Sequence, residues 1–477
     1  VWLAVVGVIS VPVTGFSSSG ANHDYGIAAA IVEVLAGACW VGALAATRRR
    51  LHRSAQHAGA VLARHRLLAR TCWLVATAAG AVMTVVLASP AQLLHTGYGV
   101  LVAVKVVPVL LLGVAVFPLA GRAAKRSPAA AARLLRWEYL ALLATLALAV
   151  AVDRTPPPSI NTLNDPFDDL IGYPLSAAPT VLRLFTDWRP GLVLGPLAIL
   201  LAVGYLAGVR RVAATGSSWQ LRRTLSFLGG CLVILLATSS GIGRYTPAMF
   251  SVHVVNHMML AMLAPILLVL GAAALLAEQA LRPGHGALPA ARSWVRGLVD
   301  SPILRLFTHP VVASLLYLGT TYGLYFTPVF DLTQRFHWAH LGIEVAFLAA
   351  GYLFSWTLIG PDPLPKTLPA LGKLAVLLAV MPIDGLFGIL VYKDPVVLGY
   401  TYYQSLSVPW ITDLLSDQRL GGIVAWILGE GPLLILVIAL LIQLGAEDRA
   451  SASELGAAPE GIDRRSLLDS FTERTAK

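Results

Sequence analysis

Charge is scarce in this 477-residue chain: Asp, Glu, Lys and Arg make up only 13% of it, about half the share usual in soluble domains. A soluble protein of this length would fold as about three domains with charged surfaces, so that class is excluded. Cysteine is scarce too. Cys39, Cys72 and Cys231 all fall inside apolar runs with no C-x-x-C spacing, which excludes a disulfide framework and a thiolate zinc site. There is no P-loop, nucleotide-binding glycine fingerprint, G-x-S-x-G, H-E-x-x-H or C-x-x-C-H, which argues against an ATP-driven pump, a hydrolase or a nucleotide partner. Basic residues outnumber acidic ones by 35 to 25. They lie in short clusters between apolar runs and form no patch, so nucleic acid is not the implied partner.

Apolar residues make up 57% of the chain. Runs long enough to cross a bilayer core, about 20 residues each, lie near 25–46, 69–89, 98–121, 137–153, 190–209, 224–242, 249–272, 308–328, 336–359, 372–392 and 420–444. A shorter run, 1–16, starts at Val1 and reads as the end of a helix whose upstream part is missing. The expected fold is an all-α polytopic transmembrane bundle of about twelve segments, the first truncated, with no soluble domain. Of the 35 Lys and Arg residues, 27 fall on one side of this topology, Arg48–Arg50 and Arg122 among them. The positive-inside rule makes that side cytoplasmic, with the C-terminus. The stretch 153–190 holds seven prolines and divides the chain. The expected organisation is a front block, 1–155; an extracytoplasmic linker, 156–189; a seven-helix rear block, 190–445; and a disordered cytoplasmic tail, 446–477. The blocks show no internal repeat, which counts against inverted-repeat transporters.

Histidine placement is the most informative pattern. His253 and His257 stand at i and i+4 at the outer end of one helix, with Met249 four residues earlier, so the three share a face. Met258, Met259 and Met262 follow, which puts four of the six methionines within 14 residues. His337 and His340 open another helix at the same depth, with Glu344 one turn deeper. Imidazole with thioether suits Cu(I). His52, His57, His65 and His285 fall in cytoplasmic loops and suggest no role, and His309 reads as structural.

Ionisable groups inside a membrane cost about 2.5–3.5 kcal/mol each on insertion scales and are functional candidates. Lys105, Glu33, Asp384 and Glu430 qualify, while Glu138 reads as a solvated helix-end charge. Asp384 follows Pro382, which loosens the helix, and is either a ligand or a structural hydrogen-bonder. Lys105 has Glu33 or Glu138 as its possible partner. Asp417 and Gln418 read as caps for the start of the last helix, and Gly421-Gly422 as a close helix crossing.

The run from Phe250 to Pro265, with His253, Asn256, His257 and Met258 inside it, resembles the signature of the membrane-integral CtaG family of cytochrome c oxidase assembly factors. Gly172-Tyr173-Pro174, Asp187-Trp188-Arg189-Pro190, His309-Pro310, His337, His340, Pro361-Asp362-Pro363, Asp417-Gln418, Gly421-Gly422, Trp426 and Glu430 extend the likeness over about 160–445. The front block, through Asn22-His23-Asp24, Trp40-Val41-Gly42, Thr96-Gly97-Tyr98-Gly99, Lys105 and Thr155-Pro156-Pro157, is similar to CopD-type copper-resistance domains. Glu33 and Asp384 depart from these patterns, each standing where many members have histidine. The resemblance implies no enzyme but a copper-handling protein of the plasma membrane that supports oxidase maturation. Copper, Cu(I) by preference, would be held on the extracytoplasmic face by His253, His257, His337 and His340, with Met249 or Met258 and with Asp384 as a further candidate. It would pass to an oxidase subunit or a copper metallochaperone. Two rivals remain: a copper permease lined by Lys105, Glu33 and Asp384, and a haem-binding enzyme using the histidine pairs as axial ligands.

Overall fold

The computed structural model describes residues 13–18, 20–53, 58–119, 128–158, 166–281, 297, 301–362 and 368–456. It is an all-α polytopic bundle with no strand among those residues. The front block holds α1 (His23–Arg53), α2 (Ala58–Leu87), α3 (Gly97–Val114) and α4 (Pro128–Asp153). The rear block opens with α5 (Leu194–Ala213) and α6 (Leu221–Ser239). There α7 (Phe250–Met258) runs through a π-turn (Met259–Leu263) into α8 (Ala264–Leu270), and α9 (Ala273–Ala280) follows. The remainder is α10 (Pro310–Tyr325), α11 (Val329–Arg335), α12 (His337–Ile359), α13 (Ala370–Lys393) and α14 (Leu414–Gly456).

Among the described residues, ten helical stretches are long and apolar enough to cross a membrane. The expected run 308–328 becomes α10, whose 16 residues reach about 24 Å at 1.5 Å per residue, short of the roughly 30 Å core. Of the opening run, 1–12 lie outside the described residues. The last helix continues to Gly456, so 446–456, expected to be disordered, are helical; 457–477 lie outside the described residues.

Lipid tails are as apolar as the helices they surround, so close backbone approach replaces the hydrophobic drive. Small residues mark where this happens. A Cβ on Gly388 of α13 would lie 2.8 Å from the Gly422 carbonyl oxygen of α14, and the two helices pack along their length. The close crossing expected of Gly421-Gly422 is thus formed, with Gly421 against Phe250 of α7. Asp417 does cap a helix, but α7 rather than its own. Its carboxylate accepts from the Ser251 backbone N–H at 3.3 Å and from the Ser251 hydroxyl. The exposed Asp413 caps α14 instead, accepting from the N–H groups of Leu415 and Ser416. Gln418 holds the preceding loop, accepting from Leu398 N–H at 2.7 Å and donating to the Val396 carbonyl at 3.1 Å.

In the front block Lys105 pairs with Glu33 at 2.6 Å, both buried. Glu138 is not solvated: it is 4% exposed and accepts from Trp40 Nε1 at 2.7 Å, with His65 Nε2 2.8 Å away. His65, expected to be a loop residue of no consequence, therefore lies within α2 as its buried partner. A single-sequence reading placed Glu138 at a helix end and His65 in a loop, and had no means of seeing α1, α2 and α4 converge there.

Candidate metal centre

The N-terminal turns of α7 and α12 meet at one end of the bundle. The π-turn after Met258 inserts an extra residue into the helix, a feature that recurs at functional sites. Gly351 of α12 lets that helix settle on the π-turn, because a Cβ there would lie 1.9 Å from the Ala261 carbonyl oxygen. His253 and His257, one turn apart on α7, thereby face His340 of α12.

Among the described His, Cys, Asp and Glu side chains, those three form a group that could hold a metal ion, with one ligand atom from each all within 4.8 Å. Ring centroids are 4.1 Å apart for His253 and His257, 5.3 Å for His253 and His340, and 5.4 Å for His257 and His340. Three nitrogens sharing one first-row ion at about 2.0–2.1 Å each stand about 3.3–3.6 Å from one another, so the widest-set rings need to close by about an ångström or slightly more to share one. His253 and His257 are 0% exposed.

Neighbouring side chains orient the rings. The Tyr325 hydroxyl of α10 lies 3.1 Å from Nδ1 of His257, whose Nε2 is buried without a hydrogen-bond partner. Where Nδ1 carries the proton and donates it to the tyrosine oxygen, Nε2 keeps a free lone pair. An orphaned buried nitrogen is costly unless something binds it, and a metal ion fits that requirement. The Gln334 amide nitrogen lies 3.3 Å from Nδ1 of His253. Glu344 stands 3.6 Å from Nε2 of His340 and accepts from Asn256 Nδ2 at 3.2 Å. Phe250, Phe330, Tyr325 and Phe347 wall the rings with aromatic faces. If the cluster holds a metal ion such as Cu(I), Tyr325→Phe is expected to lower its affinity about 10- to 100-fold, as loss of an orienting partner does, with the fold intact; competition against a metal chelator measures it.

The other sequence candidates fall elsewhere. His337 does not join the three-ring group; half-buried, it lines an adjoining cavity. Met249 is the extended N-cap residue of α7, so the helical-face argument that set it above His253 stops at Phe250. Met258 is buried one residue past His257, about 100° round the helix from it. Asp384 accepts from the Tyr317 hydroxyl at 2.9 Å. Tyr317 stands eight residues before Tyr325 on α10, about 12 Å along the axis, which makes Asp384 a structural acceptor in the span and no part of the ring group. Asn256, Gln334 and Tyr325 were missed, since a sequence marks histidines as candidates but does not mark what lies behind them.

The adjoining cavity, about 100 Å³, lies between the two blocks. There Arg189 donates to both carboxylate oxygens of Asp24 at 2.9 and 2.8 Å and to the Asn22 side chain at 3.0 Å. The guanidinium sits between the rings of Tyr25 and Tyr173, 4.2 and 4.1 Å from their centroids. Burial opposes its charge, but the Asp24 carboxylate outweighs burial and raises the Arg189 pKa above its ordinary value. Arg244 pairs with Asp187, and the Tyr173 hydroxyl donates to the Arg244 carbonyl at 2.7 Å. The linker motifs are thus a clasp that fastens the blocks above the histidines.

This arrangement defines a polytopic helical membrane protein with a three-histidine cluster, two of its rings buried, near one end of the bundle. Residues 203–446 match the family described as cytochrome c oxidase caa3 assembly factor (Caa3_CtaG), and the chain belongs to that family. It is 36% identical over 458 residues to an uncharacterized protein of Mycobacterium bovis, covering 94% of this chain and 67% of that one. An uncharacterized protein of Mycobacterium leprae is 35% identical over 452 residues, with the same coverage of each chain. No solved structure matches the chain.

Proposed function

We propose that this protein assists cytochrome c oxidase maturation by holding or delivering copper, and that His253, His257 and His340 are the ligands. Family membership supports the assembly role. The observation that carries the copper reading is the convergence of three imidazoles in a buried pocket with one Nε2 unpartnered. Imidazole suits copper, zinc, iron and nickel alike, and the aromatic walls around His253 and His257, with Glu344 against His340 as the carboxylate beside the rings, are the basis for preferring Cu(I). By the charge rule the cluster faces the extracytoplasmic side of the plasma membrane, where an oxidase subunit or a copper metallochaperone would receive the ion. On this reading the protein is a carrier, not an enzyme, and its front block is CopD-like.

Neither rival gains support from the geometry. A cavity of about 100 Å³ is below the roughly 300–1,000 Å³ of ordinary small-molecule sites, which counts against haem. Lys105 and Glu33 close on each other in the front block while Asp384 is held by Tyr317 in the rear, which counts against one permeation path through all three. Elemental analysis after Cu(I) loading tests the proposal. The His253→Ala/His257→Ala variant is expected to retain about one copper per chain fewer than the parent. Equal copper in the two proteins sinks the proposal.

A further inference from the structure

The cavity beside the cluster is unused by the three rings. At about 100 Å³ it has room for an ion with a few waters. His23 and Asp24 of α1 form one wall, and His337, His340 and Glu344 of α12 form the other. The turn containing Gly172 closes over it: that residue has φ +91°, and a Cβ there would lie 3.1 Å from both His23 Nδ1 and Asp24 Oδ1.

The two walls differ in what they offer a cation. Nδ1 of His23 lies 3.0 Å from the Gly20 carbonyl oxygen. A carbonyl only accepts, so Nδ1 carries the proton and Nε2 keeps its lone pair. Asp24 is spent on Arg189 through both oxygens, which also cancels the guanidinium charge that would repel a cation. His337 is half-buried and faces the same space. His253 and His257, fully buried, do not line the cavity, whereas His340 both lines it and belongs to the ring group.

We propose that His23 and His337 form a second, outer Cu(I) position that loads the buried cluster through His340. This rests on the copper reading of that cluster. The transfer is ligand exchange: a copper–nitrogen bond to His340 forms as the one to His23 breaks, then bonds to His253 and His257 replace the one to His337. No electron moves and the ion remains Cu(I). The position draws one ligand from each block, so the Arg189–Asp24 clasp assembles it.

Anaerobic titration of the full chain in detergent, with Cu(I) alone against a chromogenic chelator, tests this, with loading followed by stopped flow. The parent is expected to take two equivalents. His23→Gln/His337→Gln is expected to keep one tight equivalent, which also reports an intact fold, and to load it about tenfold more slowly. His253→Ala/His257→Ala is expected to keep one weaker equivalent. Two equivalents bound at the parental rate by His23→Gln/His337→Gln overturn the outer position and leave the cluster standing. Full parental copper in His253→Ala/His257→Ala, or none in the parent, overturns the cluster and the outer position together. Should the His23/His337 double variant lose both equivalents, the single variants decide. Loss of one equivalent in either upholds the outer position, and two equivalents in both overturn it.

Discussion

Lys105→Met is expected to destabilise the protein by about 3–5 kcal/mol, the cost of leaving one member of a buried ion pair uncompensated. Lys105 and Glu33 pair at 2.6 Å with side chains 9% and 8% exposed, and Gly80 of α2 packs against the Glu33 carboxylate. Water has little access with which to solvate an orphaned Glu33. Adding Glu33→Leu removes the unpaired charge, so Lys105→Met/Glu33→Leu is expected to recover most of the loss, because replacing both members of a buried pair by apolar groups is often neutral. Thermal unfolding in detergent measures both. A single variant as stable as the parent would show that the pair is open to water. A double variant as unstable as the single would show that the pair holds α1 to α3 in a way bulk apolar packing cannot replace. Copper retention in a folded double variant also separates the readings: a permease lined by this pair loses transport, whereas a carrier with its site in the rear block keeps its metal.

The behaviour of that pair illustrates what a sequence does and does not carry. Hydropathy and length placed nearly every helix, because in lipid each backbone amide has to be satisfied within its own segment. The same rule makes spans legible one at a time. Periodicity then told which residues share a face, and so brought His253 beside His257 correctly. Partners across helices are another matter, since they depend on rotation and depth that neighbouring helices set. Asp417 was read as a cap for the helix it begins and instead caps α7. Glu138 was read as solvated and is buried against His65 and Trp40. His337 and His340, three residues apart, were read as one pair, yet both line the cavity and His340 of the two also joins the ring group. Asp384 was a candidate because intramembrane carboxylates are costly. A tyrosine 67 positions away lowers that cost, and nothing in the local sequence announces it.

Gly351→Ala is expected to have a large effect on the site although it adds only a methyl group. Overpacking ordinarily costs about 1–3 kcal/mol, because side chains give way. Here the added Cβ would meet the Ala261 carbonyl oxygen at 1.9 Å and its carbon at 2.7 Å, and these are backbone atoms of the π-turn, which have no rotamer to change. The helices have to part. Since α12 carries His340 about three turns from the contact and α7 carries the other two rings, parting them opens the ring group. Cu(I) affinity is then expected to fall about 10- to 100-fold, the range for losing the support of a ligand, and thermal stability with it. Gly342 supplies the control: it lies on the same helix, two residues past His340, with nothing within 4 Å of its Cβ position. Gly342→Ala adds the same methyl group and the same gain in helix propensity, and is expected to bind copper as the parent does. If Gly351→Ala also bound copper as the parent does, close contact between the π-turn and α12 would not be what gathers the histidines, and the clasp of Arg189 on Asp24 would be left to do so.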